Sequence, residues 1–391
     1  VVDVAMVVAS NREAEFRAFF DAWHGEKGFP WDVTILVQDG GGEPFQPDDE
    51  DDDDYGQRYR WQNLVRHDWG SIVVDSGMVM PDWLSRRDSG IKAWGFLDAV
   101  LRHKADVVIT LDDDCFPCPL AADPSWRRKG VEHAQLIEAA RADFVGQHVD
   151  ALHYTRRWST SVPGFTSRGM PYGTLADGQR QPRAGDNSLG ALPVALNMGV
   201  WGVIPDRDAV HELTNWTEEG YYKPWKPQKN VYQHSRVMSP QQYWPLCGMN
   251  LAFRREIAPL LYLPRMGEGV PFRRFDDIWC GVIAQKCLRH LGMACTVGGP
   301  IINHMRASQP MDNLVREAPG IRANEEFWRL IDRIELWPVD QTPLRCMSHI
   351  GNALAEDCTG IKDEQLRAYM PQLGGWIQQW CNLFRKAGWE P

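Results

Sequence analysis

The chain has 391 residues, 43% hydrophobic and 24% charged, the balance of a soluble globular protein with room for one large domain or two ordinary ones. Its formal charge of −10 excludes general nucleic-acid binding, which needs a basic footprint. No apolar run approaches the ~20 residues that span a bilayer. The nine cysteines keep no disulfide rhythm and the N-terminal stretch lacks a basic signal region, so a reduced, cytoplasmic protein is expected.

The opening "VVDVAMVVA" is a β-branched run that ends at Ser10, Asn11 and Arg12 and predicts a strand. In "EAEFRAFFDAWHG", Phe16, Phe19, Phe20 and Trp23 recur at helical spacing. A second strand, "DVTILVQDGGG", ends at Asp39 and glycines. Strand, helix, strand with polar residues at the strand ends is the pattern of a parallel α/β sheet, and such sheets bind ligands beyond the carboxyl ends of their strands. Ser10, Arg12 and Asp39 stand there, with Ser89 and Lys92 at a following helix start, so these five are candidates to hold a nucleotide.

Residues 46–54, "QPDDEDDDD", read as an exposed insertion, because like charges repel and the spaced ligands and glycine turn of a calcium loop are missing. "SGIKAWGFLDAVLRH" (89–103) predicts an amphipathic helix feeding the strand "DVVITL", and 128–142 reads as helix again. From 155 to 245 the chain is rich in Pro, Gly and aromatic residues, which suits long loops over a site. Order returns at "LCGMNLAFRREIAPLLY", followed by a helix at "DIWCGVIAQKCLRHLG", a strand at "MACTVGGPIINHM" and helices over the last sixty residues.

The strand "VVITL" runs into Asp112, Asp113 and Asp114. Carboxylates this close repel, and a hard divalent cation, Mn²⁺ or Mg²⁺, relieves them; the D-x-D spacing of Asp112 and Asp114 lets one metal be shared while it bridges a substrate diphosphate. Cys115 and Cys118 make a C-x-x-C beside the triplet, but neighbouring acids blunt a thiolate and no second pair exists for zinc, so the pair reads as incidental. Asp276 and Asp277 open a helix, where acids favour the dipole. His304 ends a strand and is placed to complete a metal shell, tilting the choice toward Mn²⁺, with Arg306 nearby to hold a phosphate.

In this order, "VQDG", "DSGIKAWGF", "TLDDDCF", "GVWGVIPD", "CGMNLAF", "RFDDIWCG" and "HMRASQPMDNL" resemble the reversibly glycosylated polypeptides, the UDP-arabinopyranose mutase family. The resemblance implies a GT-A-like nucleotide-sugar-binding α/β fold with a mainly parallel central sheet over residues 1–330. Residues 331–391 are a helical C-terminal extension that it does not cover. It implies a UDP-sugar substrate, a metal and diphosphate motif at Asp112, Asp113 and Asp114, a further ligand at His304, and substrate contacts from Gly248 and Asn250 of "CGMNLAF". It implies a mutase that interconverts the pyranose and furanose forms of a UDP-pentose, in a homo- or hetero-oligomer.

The family carries a glycosylated arginine in an R-G-aromatic-P pattern, and "FTSRGMPYG" puts Arg168 there, with Met170 in the aromatic place. The second family arginine, seven residues on, is absent: Leu175 and Ala176 stand there. Guanidinium is a poor nucleophile, with a pKa above ~12, so Arg168 needs a carboxylate to take its proton, for which Asp276 and Asp277 are the candidates. The competing expectation is a metal-dependent glycosyltransferase that passes its sugar to a separate acceptor.

Overall fold

The structure, a computed structural model, describes residues 3–24, 31–38, 63–77, 81–117, 148–149, 168–172, 192–203, 206–214, 236–237, 243–305 and 309–389. Asp39, Arg306, Cys118, the acidic run 46–54 and the helix expected over 128–142 lie outside the described residues.

Three apolar runs form the centre of a mixed sheet: β1 (Val4–Ala9), β2 (Val33–Val37) and β4 (Val107–Asp112). Their burial is continuous rather than alternating, as expected of parallel strands covered on both faces. β3 (Leu64–His67) adds to the β2 edge, so β3, β2, β1 and β4 are all parallel. Beyond β4 the sheet continues through β9 (Asn250–Arg254), β7 (Leu192–Val203), β10 (Ala294–His304) and β5 (Cys115–Pro117). β9 is antiparallel to both its neighbours, β7 and β10 are parallel, and β5 returns antiparallel along β10. Short strands β6 (His148–Val149) and β8 (Arg236–Val237) attach to β7 and β10. This is the expected α/β arrangement, built on a mixed sheet.

Register decides what meets at the strand ends. Ala9 pairs with Asp112, so Ser10 and Asp113 leave the sheet side by side. His304 pairs with Cys115, which sets it beside Asp114, and the Met305 amide donates to the Asp114 carbonyl at 3.0 Å.

Helices cover the sheet. α1 (Glu13–His24) buries Phe16, Phe19, Phe20 and Trp23 on one face, as their spacing predicts. Trp23 Nε1 donates to the Cys115 carbonyl at 2.9 Å. α2 (Trp69–Ser76) follows β3, with a capping box at Asp68 and Ser71. A 3₁₀ turn (Ser89–Ile91) leads into α3 (Lys92–Leu101), nine of whose ten residues are buried. α4 (Ala209–Thr214), α5 (Asp276–His290) and α6 (Pro310–Arg333) complete the layers near the site.

The last sixty residues are mostly helical, in α7 (Pro343–Glu356) and α8 (Glu364–Lys386), but "IDRIELW" (331–337), expected as helix, is helical only to Arg333, where α6 ends. They cross closely at Gly351 and Gly374, where an added Cβ on Gly374 would stand 2.5 Å from the Gly351 carbonyl oxygen. Trp380 of α8 packs against Trp83 and Tyr262 at ring-centroid distances of 5.6 and 5.7 Å, and its Nε1 donates to the Pro259 carbonyl at 2.8 Å. The apolar core is continuous from Val4 to Phe384. Among the described residues no helix is long and apolar enough to cross a membrane.

Candidate active site

The acidic triplet splits into three environments. Asp113, 2% exposed, accepts from the Ser10 hydroxyl and is gripped by Arg12 through Nη2 and through Nε at 3.1 Å. Burial still pushes its carboxyl up. Asp112 accepts from the buried Lys92 ammonium, which also donates to the Gly248 carbonyl at 3.1 Å. Burial opposes both charges, but each outweighs it for the other, so the lysine pKa is held up and the aspartate down.

Asp114 has neither partner so close: Arg12 lies at 3.6 Å and His304 Nε2 at 3.8 Å. Burial first and Asp112 next raise its pKa. Among the described residues no three His, Cys, Asp or Glu side chains form a metal-binding group. Asp114 and His304 stand together at 3.8 Å and could supply two ligands, while Asp112 is directed to Lys92. The fit is to a cation that takes its remaining oxygens from elsewhere, as Mg²⁺ or Mn²⁺ does from phosphates and water. Cys115 is buried, and burial followed by Asp112 and Asp114 pushes its thiol well up, so it is a poor thiolate, as expected.

Arg168 is the centre of a second cluster. It is 8% exposed, with Nε donating to both oxygens of Asp206 at 3.0 Å, Nη1 to the Arg274 carbonyl, and Nη2 to Asp277 Oδ2 at 2.6 Å. The same Asp277 oxygen accepts from the Gly248 amide at 2.9 Å. Gly169 turns the chain at φ +85°, where a Cβ would strike Ile278, and Asn324 of α6 holds its carbonyl. Burial opposes the guanidinium charge, but Asp206 and Asp277 outweigh it and drive the pKa well up.

Asp276 points the other way along the start of α5. It is 1% exposed and accepts from the Ser89 hydroxyl at 2.8 Å. Burial, then Asp88 and Asp277, push its carboxyl well above the usual range.

These groups share one cavity of about 630 Å³, a volume in the usual range for ligand sites. Ser89, Lys92, Asp112, Arg168, Gly248, Asp276 and Asp277 line it, together with Asp88, Asp206 and the arginines Arg86, Arg87, Arg273, Arg274 and Arg316. Such a wall suits a polar, anionic ligand. Arg87 and Arg274 hold φ of 56° and 62°, in the left-handed region that side chains seldom adopt.

Residues 71–385 match the model of the family described as reversibly glycosylated polypeptide. The chain belongs to that family. It is 29% identical to "Probable UDP-arabinopyranose mutase 4" of Arabidopsis thaliana, over 97% of this chain and 91% of that one. It is 30% identical to "UDP-arabinopyranose mutase 1" of the same plant, over 77% and 74%. Glucosyl-3-phosphoglycerate synthase from Mycobacterium tuberculosis, solved with Mn²⁺, UDP and glucosyl-3-phosphoglycerate, is 15% identical with a TM-score of 0.36, covering 84% of this chain and 80% of that one.

Ser89, Lys92, Asp112, Arg168, Gly248, Asp276 and Asp277, fewer than half of the residues singled out in the sequence, line the cavity. Ser10, Arg12, Asp113, Asp114 and His304 are not on its wall; they form the adjoining strand-end cluster. Asn250 is buried at the start of β9, opposite Leu111, and also stands off the wall. Asp88 and Asp206 escaped sequence reading, although Asp88 opens "DSGIKAWGF" and Asp206 closes "GVWGVIPD", both quoted for the resemblance. The cavity arginines carried a legible signal: paired arginines precede an aspartate in both "RRDS" (86–89) and "RRFDD" (273–277).

Proposed function

We propose that the chain is a UDP-sugar mutase, an isomerase that interconverts UDP-arabinopyranose and UDP-arabinofuranose and carries the sugar transiently on Arg168. The observation that carries this reading is Arg168 buried on the cavity wall of a family member, with Asp277 at 2.6 Å from its Nη2.

In this reading the uridine end sits over Ser10 and Arg12, and the diphosphate lies between the triplet and the cavity. Asp114 and His304 would hold Mn²⁺ or Mg²⁺, with Asp112 beside them. When bound, the metal supplies charge neutralisation to the departing UDP. Lys92 fixes Asp112 and the "CGMN" turn through one ammonium. Asp206 orients the Arg168 plane through Nε, leaving Nη2 to face Asp277.

The flanking carboxylates keep the resting guanidinium protonated, so proton loss accompanies bond formation rather than preceding it. As the C1–O bond to UDP breaks, Nη2 bonds C1 and its proton passes to Asp277. After the ring has reclosed through another hydroxyl, UDP returns to C1, the C1–Nη2 bond breaks, and Asp277 gives its proton back to the departing guanidine. The helices of 331–391 support the catalytic unit of 1–330: Tyr369 of α8 donates to the Arg265 carbonyl at 2.6 Å, beneath the cavity loop that carries Gly267.

A glycosyltransferase with a separate acceptor is the second reading. It is favoured by the same ion pairs, since a guanidinium clamped by two carboxylates resists acting as a nucleophile. Incubation with UDP-arabinopyranose and Mn²⁺ separates the two. An isomeric UDP-pentose, with one pentose added to the intact mass and lost in Arg168→Lys, supports the mutase. Free UDP with a glycosylated acceptor and no isomer overturns it.

A further inference from the structure

We infer that Asp88, Ser89 and Asp276 form a proton relay in the cavity wall that opens and recloses the sugar ring; this rests on the mutase reading. Ser89 Oγ lies 2.8 Å from Asp276 Oδ2 and 3.4 Å from Asp88 Oδ1. A hydroxyl has one hydrogen and cannot satisfy two ionised carboxylates. The arrangement closes when one carboxyl carries a proton: Asp276 donates to Ser89 Oγ, and Ser89 donates to Asp88.

The surroundings set which end holds the proton. Asp88 lines the cavity half-buried; burial first, and Asp277, push its carboxyl up, against the pull of the Gly90 amide at 3.3 Å, the charge of Arg274 and the Ser89 hydroxyl. Asp276 is enclosed, 1% exposed. Burial first, then Asp88 and Asp277, oppose its charge more strongly than the Ser89 hydroxyl and Arg168 favour it. The nearby Tyr369 hydroxyl is committed to the Arg265 carbonyl. Two carboxyls compete for one proton, as in other closely placed acid pairs.

The proton count matches ring exchange. With C1 bonded to nitrogen, the nitrogen lone pair forms C=N as the C1–O5 pair moves onto O5, and O5 takes the Ser89 proton. Asp276 refills Ser89. When O4 then bonds C1, its proton passes to Asp88 and the C=N pair returns to nitrogen. Return of that proton through Ser89 to Asp276 resets the relay. Nothing is gained or lost, and no co-reactant is needed.

The test compares Asp88→Asn, Ser89→Ala and Asp276→Asn with the parent enzyme. In Asp88→Asn, turnover of UDP-arabinopyranose should fall about 100-fold or more, with UDP affinity by calorimetry within about twofold. The alkaline limb of its pH–rate profile should move to lower pH, because removing the neighbouring negative charge eases ionisation of Asp276. A residue that only supports the fold would not move that limb. Parent-like turnover with an unmoved limb in Asp88→Asn and Ser89→Ala overturns the relay.

Infrared spectroscopy gives an answer independent of turnover. The parent at neutral pH should show a protonated-carboxyl stretch that Asp276→Asn removes and Ser89→Ala shifts. If Asp276→Asn fails to fold, the Ser89→Ala shift decides. Absence of isomeric product from the parent sinks the mutase reading, and the infrared band then settles alone whether the shared proton exists.

Discussion

Asp277 joins two distant stretches through a single oxygen, which accepts from Arg168 Nη2 at 2.6 Å and from the Gly248 amide at 2.9 Å. The "RG" loop and the "CGMN" turn therefore depend on one carboxylate. Asp277→Ala leaves a buried guanidinium short of a partner and should lower the unfolding free energy by about 3–5 kcal/mol in urea titration. Arg168→Lys keeps the charge but loses the fork that spans Asp206 and Asp277, so it should bind UDP yet form no sugar adduct by intact mass.

Metal dependence should map to the strand-end pair rather than to the whole triplet. Asp114→Asn and His304→Ala should each weaken UDP binding at least tenfold in Mn²⁺ and leave it nearly unchanged in chelator, read by calorimetry. Equal loss in both conditions would assign these side chains to UDP itself.

Glu212 of α4 should make stability fall with pH. Its carboxyl is pushed up to about 7, by burial first and then by Asp206 and Glu317 against the pull of Arg207 and Arg274. Between its ordinary 4.5 and about 7 the native state binds the proton more tightly than the unfolded chain. Stability is therefore fullest below that window and declines as pH rises through it. Glu212→Gln should flatten the slope and exceed the parent by roughly 1–2 kcal/mol above the window, after allowance for solvent screening. Denaturant midpoints across the pH range check this.

Neighbouring glycines of α8 should respond in opposite directions. A Cβ at Gly374 meets the Gly351 carbonyl oxygen at 2.5 Å and the Ala355 amide nitrogen at 2.7 Å, both backbone atoms. Gly374→Ala should cost about 1–3 kcal/mol. Gly375 has nothing within 4 Å of such a Cβ, and Gly375→Ala should stabilise by up to about 1 kcal/mol. Thermal unfolding of the pair distinguishes a crowded crossing from a general glycine effect.

Periodicity made β1, β2, β4, α1 and α5 legible, because each buries a long run with one repeat. β3 escaped notice: "LVRH" has two apolar residues and takes its strand form from pairing with β2. β5 was hidden behind the triplet, since three residues carry no period of their own. The candidate site was legible as a set of residues but not as a set of pairs. By sequence alone Lys92 is a candidate nucleotide holder and Asp112 a candidate metal ligand. Their mutual ion pair arises only when the start of α3 lies against the end of β4. Asp206 is invisible as a partner of Arg168 for the same reason, standing 38 positions further along the chain.

The distances in sequence across this cavity have a kinetic consequence. Arg168 reaches partners 106 and 109 residues away, Ser10 meets Asp113 across 103, and Asn324 holds the Gly169 carbonyl across 155. Closing such loops costs entropy before any contact repays it, and topologies of this kind fold slowly. During synthesis a chain that has emerged as far as Arg168 can pair β1, β2, β3 and β4, yet has no place for Arg168 to dock, because Asp206, Arg274 and Asp277 are still to come. Ligand-binding capacity should appear only after α6, which supplies Asn324, has been made.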